Sequence, residues 1–253
     1  EKTVLESMNK DYISIKSDAF ASDVVSIFED RDLVSAPVID KNNILIGRIT
    51  IDDVVDVIRE ESESTVLNMA GLTDEEDIFA PILPSARRRA IWLGINLITA
   101  LIASGVISLF QDTIEKVVAL AVLMPIVASM GGIAGSQTLT LVIRGIALGN
   151  ISSANSKSLL IKEILIGLLN SLLWASVIGV LSSYWFNNYL IGIVIGIAMI
   201  ANLGFAALSG VVIPIILKKI GVDPALAGGV ILTTITDVIG FFSFLALGTF
   251  FLL

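Results

Sequence analysis

Asp237 stands in the run TTITDVIGFF, and it is the only carboxylate between Pro224 and Leu253, a stretch otherwise long and apolar enough to cross a bilayer. An ionisable group at that depth is expensive and usually functional. No Lys or Arg occupies the interior of the other apolar segments. Its partner is therefore expected to be a proton, a permeating cation, or a second copy of Asp237 bridged by one. The bland alternative is a protonated acid hydrogen-bonded to Thr233, one turn earlier, or to Asn202. The chain has no Cys and no His, which removes thiolate and imidazole ligands and the Ser/His and Cys/His catalytic pairs. Oxygen ligands remain, and these suit hard ions such as magnesium or calcium. One carboxylate per chain makes a sensible site for hydrated magnesium if two chains place it on a shared axis.

A second group of acids lies far from Asp237 in sequence. Asp52, Asp53, Asp56, Glu60, Glu61 and Glu63 fall on one helix and its extension, followed by Asp74, Glu75, Glu76 and Asp77. Individually such residues are usually a solvated face, and Asp52 also reads as a helix N-cap. Ten acids against one base, Arg59, between positions 52 and 77 repel one another and would be relieved by divalent cations. That makes them candidates for a cation sensor.

The elements that must position these groups are legible from composition. Hydrophobic residues make up 55% of 253 residues, and mean hydropathy is +0.90. Residues 1–80 hold 19 acids and 7 bases, whereas residues 81–253 hold 5 acids and 9 bases. The contrast predicts an acidic soluble part followed by a membrane part. Five segments reach the length of about 20 residues that a spanning helix needs: Ala90 to Phe110, Val117 to Val142, Leu159 to Tyr184, Leu190 to Leu217 and Pro224 to Leu253. Eight bases (Arg87, Arg88, Arg89, Arg144, Lys157, Lys162, Lys218 and Lys219) flank one side and only Lys116 the other. The chain is thus expected to be a multi-pass protein of the cell (inner or plasma) membrane, with its N-terminal part cytoplasmic and its C-terminus outside. Tyr184, Trp185 and Tyr189 fit an aromatic belt at the outer interface. There is no initiator Met and no signal-peptide pattern, and the chain reads as part of something longer.

Within the second segment, MPIVASMGGIAGSQ places Pro125, Gly131, Gly132 and Gly135 in the middle of an apolar stretch. Two readings stay open here: a Pro kink with close glycine packing, or a discontinuous helix whose freed carbonyls at Gly131 and Gly132 line a pore. Ser136 and Gln137 are candidate pore or interface groups, as is Thr233 through its side chain or backbone. Asn96, Asn170 and Asn202 read as helix bridges, and Gly192 with Gly196 as a close-packing pair. No phosphate-binding loop or hydrolytic constellation is visible, so an enzyme is not expected, and neither is a nucleic-acid partner.

Residues 11–60 alternate as strand, helix, strand, strand, helix. At about 55 residues this βαββα unit buries little core alone and should pack against another copy. Its run VIDKNNILIGRITIDDVVDVI resembles a CBS (cystathionine-β-synthase) motif. Together with the core from Pro125 to Gln137 (P-x5-GG-x2-G-x-Q), Arg144, and GVDPALA with TDVIG fourteen residues after its Asp, it resembles the MgtE magnesium transporters over essentially the whole chain. The resemblance implies a mostly α membrane protein: a CBS-type cytosolic unit at 1–60, an acidic, plug-like connecting helix and linker at 61–86, and a five-helix pore domain at 87–253. It also implies a homodimer in membrane lipid with a pore at the membrane-domain interface, Asp237 taking hydrated magnesium, and closure favoured by magnesium at the acidic helix. The chain departs from the family pattern at Ile133 and Gly229, where Asn is common, and at Ser64 and Thr65, where acids are common. The leading expectation is a divalent-cation channel or transporter, most of all for magnesium. The alternatives are a proton-coupled carrier in which Asp237 titrates, and a membrane-anchored CBS sensor without transport.

Overall fold

The computed structural model describes residues 3, 12–72, 79–151 and 155–253, which fall into two compact units, Glu1–Leu67 and Asn68–Leu253. In the first unit, β1 (Ile15–Lys16), α1 (Ala21–Asp30), β2 (Ser35–Ile39), β3 (Leu45–Thr50) and α2 (Ile51–Met69) follow the expected βαββα order. β1 pairs parallel to β2, which pairs antiparallel to β3 with an irregularity between Val38 and Ile39. The β2–β3 turn is closed by Asp40, whose Oδ1 accepts the backbone N–H groups of Asn42 and Ile44 at 2.8 Å. The bond from Ile44, then those from Asn42, hold its carboxyl below the usual range. Asn43 sits there in the left-handed region at φ 60, which Asn tolerates.

The core of this unit is small: Ile15, Val24, Phe28, Ala36 and Val54. Val34, Ile44, Leu45, Ile46, Val55 and Ile58 remain exposed within it, the physical signature of a unit too small to cover its own apolar residues.

The first turn of α2 corrects the expectation that Asp52 caps it. Thr50 precedes the helix, and both its backbone N–H and its hydroxyl donate to Asp53 Oδ2 at 2.9 Å. Asp53, the third residue of the helix, thus reaches back to the residue before its start and accepts both bonds, the carboxylate half of a capping box. The two bonds from Thr50, backbone first, lower the Asp53 pKa from 3.8. A depressed carboxyl stabilises the fold above its unfolded pKa and ceases to do so as pH falls through its folded one. Asp53→Asn should therefore speed amide exchange in the first turn of α2 at pH 7. Measured by exchange mass spectrometry, the difference from the parent should shrink as pH drops below 3.8.

In the second unit, five helices of 27 to 31 residues are long and apolar enough to cross a membrane. They are α3 (Ile82–Ser108), α5 (Val118–Ala147), α6 (Ser156–Trp185), α7 (Tyr189–Lys219) and α8 (Pro224–Leu252); the short α4 (Gln111–Lys116) joins the first two. α7 lies at the centre, with 16 buried residues, and packs against α5, α6 and α8, while α3 packs on α8. Small residues set these distances. A Cβ at Gly192 of α7 would overlap the Gly179 carbonyl and Ser183 hydroxyl of α6, so here the two backbones touch. Tyr184, Trp185 and Tyr189, at the α6–α7 turn, are strongly exposed, as an interfacial belt requires.

Candidate functional site

α8 begins with a sequence-encoded stop and start. Asp223 caps it by accepting from Ala225 N–H at 2.8 Å, and Pro224 follows, where a missing N–H costs nothing. The other oxygen of Asp223 accepts from Asn68 Nδ2 at 3.0 Å. Asp237 lies thirteen residues beyond Pro224; at about 1.5 Å per residue it is about 20 Å along, near mid-helix.

Around Asp237 the threonines turn away. Thr233 donates to the Gly229 and Val230 carbonyls at 3.1 Å, Thr234 to the Val230 carbonyl at 2.7 Å, and Thr236 to the Thr233 carbonyl at 3.1 Å. Each satisfies its hydroxyl within its own helix. Asn202 donates to the Val127 carbonyl of α5 instead. Asp237 is half-buried and, among the described residues, accepts no hydrogen bond and forms no ion pair. Among the described residues neither Thr233 nor Asn202 hydrogen-bonds to Asp237, so the pairing expected of a neutral acid with either one is not present.

α5 resolves the two readings of MPIVASMGGIAGSQ in favour of close packing. It runs unbroken from Val118 to Ala147 through Pro125 and all three glycines. A discontinuity with freed carbonyls at Gly131 and Gly132 is not present. The glycines serve approach, not opening: a Cβ on Gly131 would collide with the Asn202 amide, and one on Gly135 would lie 2.9 Å from Leu232 of α8. Glycine costs a helix about 1 kcal/mol relative to Ala, and this packing offsets it. Gly132 points the other way, with nothing within 4 Å of its would-be Cβ, and Gly229 on α8 is likewise open.

The open face of α5 extends the pair Ser136 and Gln137, read from the sequence as candidate pore or interface groups, into a longer polar stripe. Ser129, Ser136, Gln137, Thr140 and Arg144 are all exposed along it, together with Ile133. At helical spacing these positions share one face. Hydroxyls and an amide along such a face belong against a cavity or another protein surface, not hydrocarbon. Among the described residues Asn96 and Asn170 make no bond to another helix. Asn96 donates to Trp92 of its own helix at 2.8 Å, and Asn170 is exposed.

A residue the sequence reading passed over is Glu163, 6% exposed on α6, whose Oε2 accepts from Thr138 of α5 at 3.2 Å. Gly210 of α7 closes over this pair, its absent Cβ 2.8 Å from Thr138 Cβ. The available signal was its place in the span Leu159 to Tyr184, masked by Lys162 beside it. Removing one partner of a buried hydrogen bond costs about 1–3 kcal/mol. Glu163→Ala should accordingly lower the thermal midpoint in detergent more than Glu163→Gln, which retains an acceptor for Thr138.

The candidate sensor acids behave unequally. Asp52, Asp53, Asp56, Glu60, Glu61 and Glu63 are all exposed on α2. Asp53 is engaged by Thr50, and Glu63 pairs with Arg59 at 3.0 Å. The hydrogen bond and then the charge of Glu63 raise the Arg59 pKa. Among the described residues no three acids converge on a metal-sized space. The acids at 74–77 lie outside the described residues.

A CBS-type βαββα unit and a bundle of five span-length helices with an unpartnered acid in the last define a multi-pass membrane protein. Residues 124–247 match the MgtE family model, described as a divalent cation transporter, and residues 2–60 match the CBS domain. The chain belongs to the MgtE family. It is 31% identical over 252 residues to the magnesium transporter MgtE of Bacillus subtilis, covering 100% of this chain and 56% of that protein. It is also 31% identical over 234 residues to that of Enterococcus faecalis (92% and 51%), and 30% identical over 245 residues to that of Thermus thermophilus (96% and 54%). The chain spans about half the length of these curated relatives.

Proposed function

We propose that this chain forms the conducting part of a magnesium channel or transporter, in which hydrated magnesium is held near mid-membrane by Asp237 of two protomers. The observation that carries the reading is the state of Asp237 itself: mid-helix, half-buried, and without a hydrogen-bond donor or base among the described residues. A lone carboxylate in that setting needs a cation and water. Magnesium gives up its water reluctantly and is usually held through one or two carboxylates, which matches one acid from each of two chains. The names of the relatives support magnesium as the ion, and the polar face of α5 supports a water-filled lining. Gly132 and Gly229 add room beside that lining rather than ligands, and Thr233 contributes hydroxyl lone pairs.

The bases near the start of α3, at the facing ends of α5 and α6 and at the end of α7 support a cytoplasmic N-terminal unit and an outside C-terminus. Asp237→Asn keeps volume and loses charge. It should reduce magnesium uptake into liposomes at least about ten-fold while leaving assembly intact, and the assembled mass in detergent should be that of a dimer. Parent-like uptake by Asp237→Asn would sink the reading. Uptake that follows an imposed proton gradient would favour the proton-coupled carrier.

Regulation by magnesium at α2 is part of the same proposal. Asp52, Asp56 and Glu60 recur every four residues and make no hydrogen bond among the described residues, whereas Asp53 and Glu63 have local partners. Neutralising Asp52, Asp56 and Glu60 together should weaken magnesium-induced protection of α2 from protease far more than neutralising Asp53 and Glu63. Potassium at equal ionic strength should not reproduce that protection, since screening is not site-specific. Equal protection by both ions would remove the case for a divalent sensor.

A further inference from the structure

Asn202 of α7 is fully buried in the middle of the bundle. Its Nδ2 donates at 2.7 Å to the Val127 carbonyl of α5, while its Oδ1 is buried with no partner among the described residues. Two glycines face this amide from different helices. A Cβ at Gly131 of α5 would overlap it, and one at Gly240 of α8 would lie 2.7 Å from Nδ2. The amide therefore fills a slot with α5 on one side and α8 on the other. Gly240 is three residues, about one turn, beyond Asp237. A leucine would fill similar volume without leaving a carbonyl unsatisfied in an apolar core, so hydrophobic packing alone does not account for an amide here.

We propose that Asn202 is a positioning residue for ion passage: a buried amide spacer that sets the separation and rotation of α5 and α8 at the level of Asp237, and so helps decide which divalent cation the site accepts. The inference rests on the Asp237 reading above. Its physical basis is leverage. The bond to Val127 fixes Asn202 to α5, and contact with Gly240 passes that position to α8 within one turn of the carboxylate. Where two such carboxylates face each other, a displacement of either helix changes their separation twice over. Small misplacements of this kind have large effects on function, while the fold survives them.

The test uses the full chain reconstituted in liposomes, with magnesium and calcium uptake measured separately. Asn202→Leu removes the hydrogen bond and the orphan carbonyl; Gly240→Ala intrudes on the slot from the opposite side. Each is expected to lower magnesium uptake about ten-fold and to change the magnesium-to-calcium ratio about three-fold or more, with dimeric mass retained. A merely structural residue would move the thermal midpoint and leave the ion ratio alone. The pair Asn202→Ala with Gly240→Ala, in which the new methyl occupies space the amide vacates, should recover part of the uptake lost in Gly240→Ala, a non-additivity expected only of groups in contact. If Asn202→Leu fails to assemble, Gly240→Ala and the paired variant decide. Parent-like uptake and ion ratio in the Asn202 and Gly240 variants, with uptake lost in Asp237→Asn, would overturn the spacer and leave the Asp237 site standing. Parent-like uptake in Asp237→Asn would instead remove the site, and the spacer role with it.

Discussion

The constraint that organises the membrane unit is an acid inside an apolar helix that meets no base among the described residues. Insertion scales put an Asp at the centre of a spanning helix at about 2.5–3.5 kcal/mol. The donors that might reduce that cost within the protomer are committed elsewhere. The threonines of α8 bond back into their own turn, and Asn202 bonds to α5. Compensation is then left to a proton, water or a cation. This shifts attention to the open side of the bundle, where α5 displays Ser129, Ser136, Gln137 and Thr140.

Close packing makes that arrangement tenable. α7 is the pillar on which α5, α6 and α8 lean, and the contacts occur where one partner lacks a side chain: Gly131 and Gly240 at Asn202, Gly135 at Leu232, Gly210 at Thr138, Gly192 at Gly179. In a bilayer, where helix association has no hydrophobic driving force, backbone approach of this sort is a main source of cohesion. The buried faces of α5 and α8 are thus occupied by packing. Their other faces are left to carry chemistry, which is why Gly131 and Gly132, adjacent in sequence, have opposite roles.

Much of this was legible in the sequence, and the parts that were not share a cause. The five spans and the βαββα order follow from hydropathy and periodicity, which are local properties, and Asp237 stood out because an acid in an apolar run is rare. The segment from Met124 to Gln137 remained ambiguous because Pro and Gly weaken a helix in isolation, whereas their neighbours on α7 and α8 hold it continuous. Of three intramembrane asparagines read as bridges, only Asn202 bridges among the described residues, since Asn96 can reach a carbonyl four residues back and sequence spacing does not say which option wins. Asp52 offers a plain cap reading in the sequence, but the acid that the residue before the helix engages is Asp53, which accepts both bonds from Thr50. Glu163 escaped notice beside Lys162; only the tertiary fold shows that one side chain turns inward to Thr138 while the other stays exposed.

The acids on α2 pose a problem that helix geometry itself answers. Asp52, Asp56 and Glu60 lie about one turn apart along one face, with Cβ separations of about 5–6 Å. Two such neighbours can share an ion, but among the described residues no three acids close a site around one. A magnesium ion bound by such a stripe must take its remaining ligands from water or from a second surface. Binding that requires a second surface is strong only when the surface is near, so the ion distinguishes between arrangements of the protein that differ in that distance. This is the differential affinity that any ligand needs in order to shift a conformational equilibrium. An acidic stripe with no closed site of its own is therefore suited to regulation rather than storage. On the regulation proposed above, ion concentration would be read out as a change in the distance between that stripe and the second surface.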